Sequence, residues 1–234
     1  MEWKRYYEEK EVVPLSAQVP YYRYVLEQLE GFVMDGKDET EELTVVLGGL
    51  HPRVTRPEHF ESLCRNLFKN PLAVVILDQN KEALKECDEE KYLVRQAKLE
   101  QFPDGLGLVD LLICDYTADF MSDGQLREMN VNFPLRVSDN GLLVMTIDNP
   151  SFPIFSQASD LFRFGIKTFP RSVERLKNLL TNFKLILDAR TGNHNDLLIF
   201  AKKEASIEEF EGLPIGLFPD VSPFKEWLLK NNQY

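Results

Sequence analysis

Leu43-Thr-Val-Val-Leu47-Gly48-Gly49-Leu-His51-Pro-Arg53 is the stretch that decides the fold of this chain. A short apolar run with β-branched residues and no polar alternation reads as a strand buried on both faces, the habit of a parallel sheet. The glycine pair that ends it has two readings. Without Cβ atoms, glycines let a backbone turn tightly, and they let it come close to a ligand. The stretch is neither G-x-G-x-x-G nor a Walker loop with its lysine, so it points to neither a dinucleotide nor a P-loop site.

Downstream the same alternation repeats. Pro57 to Phe68 reads as a helix with Pro57 in its first turn and Phe60, Leu63, Cys64, Leu67 and Phe68 on one face. Leu72 to Leu77 is a second buried strand, closed by Asp78. Asn80 to Cys87 suits a helix capped by Asn80. Tyr92 to Gln96 is a third strand, and Val109 to Cys114 a fourth, closed by Asp115. Asp123 to Val137 reads as a helix with Leu126, Met129, Phe133 and Leu135 facing the core. Leu142 to Ile147 is a fifth strand and Ser172 to Leu180 a helix. Lys184 to Asp188 and Leu197 to Ala201 are two strands joined through the turn residues Thr191 to Asn195. Upstream, Tyr21, Tyr24, Val25, Leu29 and Phe32 recur at helical spacing.

Strands alternating with helices predict an α/β fold: a Rossmann-like, doubly wound, mostly parallel seven-stranded sheet with an antiparallel edge strand and an N-terminal helical extension. The expected organisation is a helical cap over 1–42, the Rossmann domain over 43–203, and a Pro-containing tail over 204–234 packed on that domain.

The chain has 234 residues, of which 44% are hydrophobic, enough for a sizeable core. It has no apolar run of the ~20 residues that a membrane helix needs. The N-terminus, Met1-Glu-Trp-Lys-Arg-Tyr-Tyr7, has no apolar signal-peptide core, so a cytoplasmic location is expected. The formal charge of −11 disfavours phosphate backbones as generic partners. Cys64, Cys87 and Cys114 are scattered, with no CxxC pair, and read as small buried hydrophobes; no metal site is expected.

Ligands of an open parallel sheet bind beyond the carboxyl ends of the strands, where strand order reverses. Three tips are informative. Gly48 and Gly49 end the first strand. Asp78 ends the second; it can accept two hydrogen bonds from a ribose diol, or cap a helix. Asp115, followed by Tyr116, ends the fourth, as a site residue or as a turn residue.

The order strand–glycine turn, strand–acid, strand, strand–Asp, helix, strand after Asn140-Gly141, helix and final hairpin resembles the class I S-adenosylmethionine-dependent methyltransferases over about residues 43–203, with the first glycine motif reduced to Gly48-Gly49. The resemblance implies S-adenosylmethionine as cofactor. It places Gly48 and Gly49 near its methionine part, Asp78 on its ribose, and Lys98 and Leu99 (toward Glu100) near its adenine. Asp115 and Tyr116 would line the methyl-transfer end, and Asp115 would also meet the cofactor. Where the family commonly has an acid and spaced glycines, this chain has Val46-Leu47-Gly48-Gly49-Leu50-His51, and Lys98 stands where an adenine-facing Asp is common.

Methyl transfer needs a positioned nucleophile, excluded water and, for some acceptors, a base. Candidate bases are His51, His59, His194 and Asp115, with His51 nearest the glycine turn. No (Asp/Asn)-Pro-Pro-(Tyr/Phe) sequence follows the fourth strand, which points away from nucleic-acid acceptors. The expected acceptor is a small molecule or a protein side chain. The aromatic stretch Phe152 to Phe169 and the Tyr-rich N-terminus either wall an acceptor pocket or pack a connection into the core. The alternative to an enzyme is a catalytically inactive, methyltransferase-like interaction module.

Overall fold

A computed structural model describes residues 3–9, 19–49, 57–85, 87–114, 117–148, 165–190 and 195–205. Seven strands form one sheet: β1 (Leu43–Gly48), β2 (Leu72–Asp78), β3 (Leu93–Gln96), β4 (Val109–Cys114), β5 (Val137–Asp148), β6 (Phe183–Arg190) and β7 (Asn195–Lys202). Their order is β3-β2-β1-β4-β5-β7-β6. Pairings from β3 across to β5 are parallel, whereas β7 runs antiparallel to both of its neighbours. The expected fold class is the one observed, with the antiparallel strand entering at the margin as part of the final hairpin. Sequence order reverses between β1 and β4, so the switch point lies between their tips.

The unbroken apolar runs follow from burial on both faces. Val45 and Leu47 of β1 point into one core with Val74 and Ile76 of β2 and Leu111 and Ile113 of β4. Their neighbours Val46, Val75, Leu77, Leu112 and Cys114 point into the other. Helices α1 (Trp3–Glu9), α2 (Val19–Met34), α3 (Pro57–Leu67), α4 (Lys81–Leu84), α5 (Asp123–Asn132) and α6 (Val173–Leu179) supply the cover. From α2, Leu26, Leu29 and Val33 join the first core with Phe60, Leu63 and Cys64 of α3; Leu126 and Met129 of α5 join the second with Leu176 and Leu179 of α6. Among the described residues no helix is long and apolar enough to cross a membrane.

Four expectations need correction. The helix after β4 ends as α at Asn132 and tightens into a 3-10 turn over Phe133–Leu135. At 3.6 residues per turn Leu135 falls about 200° round the helix from Phe133, on the opposite face, so Leu135 is 74% exposed while Phe133 is fully buried. Helix α4 is one turn long, although Asn80 caps it as expected by accepting from Glu82 N. Strand β5 starts at Val137, five residues early. It pairs Val137 with Val109, then resumes with Leu142 opposite Leu111 across an irregularity. Cys64 and Cys114 are buried, but Cys87 is only half-buried.

Candidate functional site

The sheet register brings the predicted tips of β1 and β2 together. Gly48 pairs with Leu77, and Gly49 N donates to Leu77 O at 3.0 Å. Asp78, the next residue of β2, therefore lies alongside Gly49. Asp78 pairs on its other side with Gln96, and its carbonyl accepts from Ala97 N at 3.0 Å. The Asp78 side chain is 6% exposed, and its Oδ1 accepts from Asn80 N at 2.6 Å. Helix capping itself falls to Asn80, so Asp78 is not the cap; its carboxylate braces the turn that precedes α4.

The glycine pair is closely covered by the chain's own side chains. Gly49 has φ +74°, the left-handed region that glycine tolerates. A Cβ on Gly49 would fall 1.8 Å from Thr117 Oγ1 and 2.7 Å from Thr117 Cβ. A Cβ on Gly48 would fall 2.5 Å from Leu99 Cδ2. Thr117 follows β4 in a 3-10 turn, Thr117–Phe120. Its Oγ1 lies 2.9 Å from Gly48 O and 3.3 Å from Gly49 O, so the tips of β1 and β4 are tied across the switch point. Thr117 was not among the sequence-derived site residues. A hydroxyl residue two positions past the strand-ending Asp115 was the only signal for it.

Lys98 and Leu99 follow β3. Lys98 is exposed, whereas Leu99 is buried and faces Gly48. Glu100 is buried in the same 3-10 turn, Leu99–Gln101. Its Oε1 accepts from Gln125 Nε2 at 2.8 Å, and its carbonyl accepts from Asn132 Nδ2 at 2.8 Å. Gln125 also closes a capping box with Ser122 at the start of α5, so α5 fixes the turn that carries Leu99.

His51, Asp115, Tyr116 and His194 lie outside the described residues, as does most of the aromatic stretch, 152–164. His59 is exposed on α3. The end of the aromatic stretch and the N-terminal helix do meet beyond β4. Tyr6 of α1 packs edge-on against Phe120, with ring centroids 6.0 Å apart, and forms a small apolar cluster with the buried Ile166. Arg171 holds this corner. Its Nε pairs with Asp123 Oδ1 at 2.8 Å, and its Nη1 donates to Ala118 O at 2.9 Å and Phe169 O at 2.8 Å. Its Nη2 donates to Met121 O. The Arg175 hydrogen bond, with that of Arg171, holds the Asp123 carboxyl below its ordinary range.

A second charged cluster braces α3, the helix that follows the glycine turn. Burial would raise the Glu61 pKa, but hydrogen bonds from Lys91, Arg65 and Tyr92 outweigh it and bring it to about 2. Nearby, burial pushes the Cys64 thiol up to about 12, which makes it a packing residue and not a nucleophile. No cluster of His, Cys, Asp and Glu suited to a metal occurs among the described residues.

No protein-family model matches the sequence, and no curated protein is similar enough to it to be matched. Solved structures do match. The PH0226 protein from Pyrococcus horikoshii OT3 superposes with a TM-score of 0.56 at 13% identity, over 78% of this chain and 91% of that one. Human N-acetylserotonin methyltransferase, solved with SAM, gives 0.51 at 15% identity, over 80% and 56%. OxaC, solved with SAH and oxaline, gives 0.54 at 14% identity, over 76% and 47%. The chain thus spans about half the length of the last two. The likeness defines the fold class, a Rossmann-like sheet of the kind found in S-adenosylmethionine-dependent methyltransferases.

Proposed function

We infer that this chain is an S-adenosylmethionine-dependent methyltransferase acting on a small molecule. The observation that carries the reading is the buried carboxylate of Asp78 set beside the glycine turn at the tips of β1 and β2. The residues present suit an adenosyl group at this end. A carboxylate accepts both hydroxyls of a ribose diol, and Leu99 offers an apolar wall beside Gly48. Gly48 and Gly49 are assigned to the cofactor's amino-acid end, and Lys98 and Leu99 to the surroundings of its base. When bound, S-adenosylmethionine supplies an electrophilic sulfonium methyl group.

The protein's part is to bind, orient and exclude water. Asp115 and Tyr116, which directly precede Thr117, are assigned to the transfer end, with His51 as the candidate base. The apolar cluster of Tyr6, Phe120 and Ile166 beyond β4 supports an apolar surrounding on that side, which suits a small acceptor better than a nucleic acid. N-acetylserotonin methyltransferase and OxaC, which share the fold, favour the same acceptor class. A protein side chain remains the second acceptor to assay.

Calorimetry with S-adenosylmethionine and S-adenosylhomocysteine tests the reading. Binding is expected for the wild-type chain and a loss of at least ten-fold for Asp78→Ala. Absence of binding at millimolar ligand would overturn it and leave a non-catalytic module on the same fold.

A further inference from the structure

The hydrogen-bonding arithmetic at the switch point is uneven. Gly48 O and Gly49 O converge on a single hydroxyl, at 2.9 and 3.3 Å. A threonine hydroxyl has one proton and cannot satisfy two carbonyls at once. The same side chain fills the space that the missing Cβ of Gly49 leaves, so Thr117 occupies both the carbonyl pair and the Cβ side of Gly49. A ligand group carrying two or three protons would serve the carbonyl pair better than one hydroxyl, and a charged donor better still.

We propose that Thr117 is a latch across the β1–β4 crevice, and that ligand binding at the tip of β1 requires its side chain to leave Gly48 O and Gly49 O. The proposal rests on the cofactor reading above and adds an element of control within the same site. With Thr117 on Gly48 O and Gly49 O this end of the site is closed, so affinity is lowered by the free energy of opening the latch. Thr117 is placed to do this because the 3-10 turn after β4 is itself fixed through Ala118 O and Met121 O by Arg171.

The test compares S-adenosylhomocysteine binding by calorimetry in wild type and Thr117→Ala. Loss of one net hydrogen bond from the closed state predicts about five-fold tighter binding by Thr117→Ala. Equal or weaker binding by the variant, with the wild type binding, refutes the latch and leaves the cofactor reading intact. No binding by either protein removes the cofactor reading, and the latch falls with it. Should the variant fail to fold, a structure of the wild-type chain with S-adenosylhomocysteine decides. Thr117 Oγ1 is expected beyond hydrogen-bond distance of Gly48 O, and an unbroken contact with ligand bound refutes the proposal.

Discussion

Replacing Gly49 by alanine should be among the costliest single-methyl additions to this protein, and the reason can be divided into parts. At φ +74° an alanine pays roughly 1–2 kcal/mol for the left-handed backbone. The new methyl also falls 1.8 Å from Thr117 Oγ1 and 2.6 Å from its Cγ2. Rotation of Thr117 can clear both atoms, at the loss of its bond to Gly48 O, about 1 kcal/mol. Rotation cannot move Thr117 Cβ, 2.7 Å away, so the two turns must also separate. The sum is about 3–4 kcal/mol, read by urea denaturation. The double-mutant cycle with Thr117→Gly isolates the contact. Without a side chain at 117, Gly49→Ala should cost only its backbone part, giving a coupling of about 2 kcal/mol. A coupling below about 0.5 kcal/mol would refute the claim that this contact, and not the dihedral alone, demands glycine.

Three other outcomes are expected. The drop of the Glu61 pKa from 4.5 to about 2 corresponds to ~3 kcal/mol at 1.36 kcal/mol per pH unit. Its partners Lys91 and Arg65 are 45% and 54% exposed, so screening reduces this to ~1–2 kcal/mol. Because the folded value is the lower one, the contribution is complete above pH ~4.5 and fades as pH falls toward about 2. Glu61→Gln should therefore be less stable than wild type at pH 7, with a gap that narrows in acid; a gap constant with pH contradicts the assignment. Arg171→Lys keeps the charge but cannot reproduce the four hydrogen bonds, and should cost about 2–3 kcal/mol in chemical denaturation; a change under about 0.5 would show that the clamp is dispensable. Leu135→Lys should alter stability by less than about 0.5 kcal/mol, and a larger loss would place Leu135 in a contact that its exposure denies.

The strands were legible because burial on both faces leaves a mark that composition carries directly, as in Leu72 to Leu77 and Val109 to Cys114. Helix starts were legible where a side chain caps them, as Asn80 and Ser172 do. The misreadings have local causes. Leu135 is apolar but lies about 200° round the helix from Phe133, so apolar character alone, and not helical spacing, suggested a core position. Ser138, Asp139 and Asn140 are too polar to read as strand, yet pairing from Val109 to Val137 holds them in β5. Of the site, Asp78 beside Gly48-Gly49 could be read from the order of elements. Thr117 could not, because what picks it out is a distance across the sheet between residues nearly seventy positions apart.

A glycine records only that something stands where Cβ would be, and that something can be a ligand or a side chain of the same protein. Here Leu99 and Thr117 fill that role, so the glycine pair alone no longer argues for a ligand. What still argues for one is the asymmetry around it. On the β2 side stands a buried carboxylate of the kind that accepts the two hydroxyls of a ribose diol. On the β4 side stands a hydroxyl shared between two acceptors. If both were merely structural, removing either side chain would loosen the turn and weaken any ligand alike. If Asp78 binds and Thr117 bars, the two substitutions move affinity for S-adenosylhomocysteine in opposite directions: down at least ten-fold for Asp78→Ala, up about five-fold for Thr117→Ala. Equal signs would reduce the crevice to ordinary packing at the end of a parallel sheet.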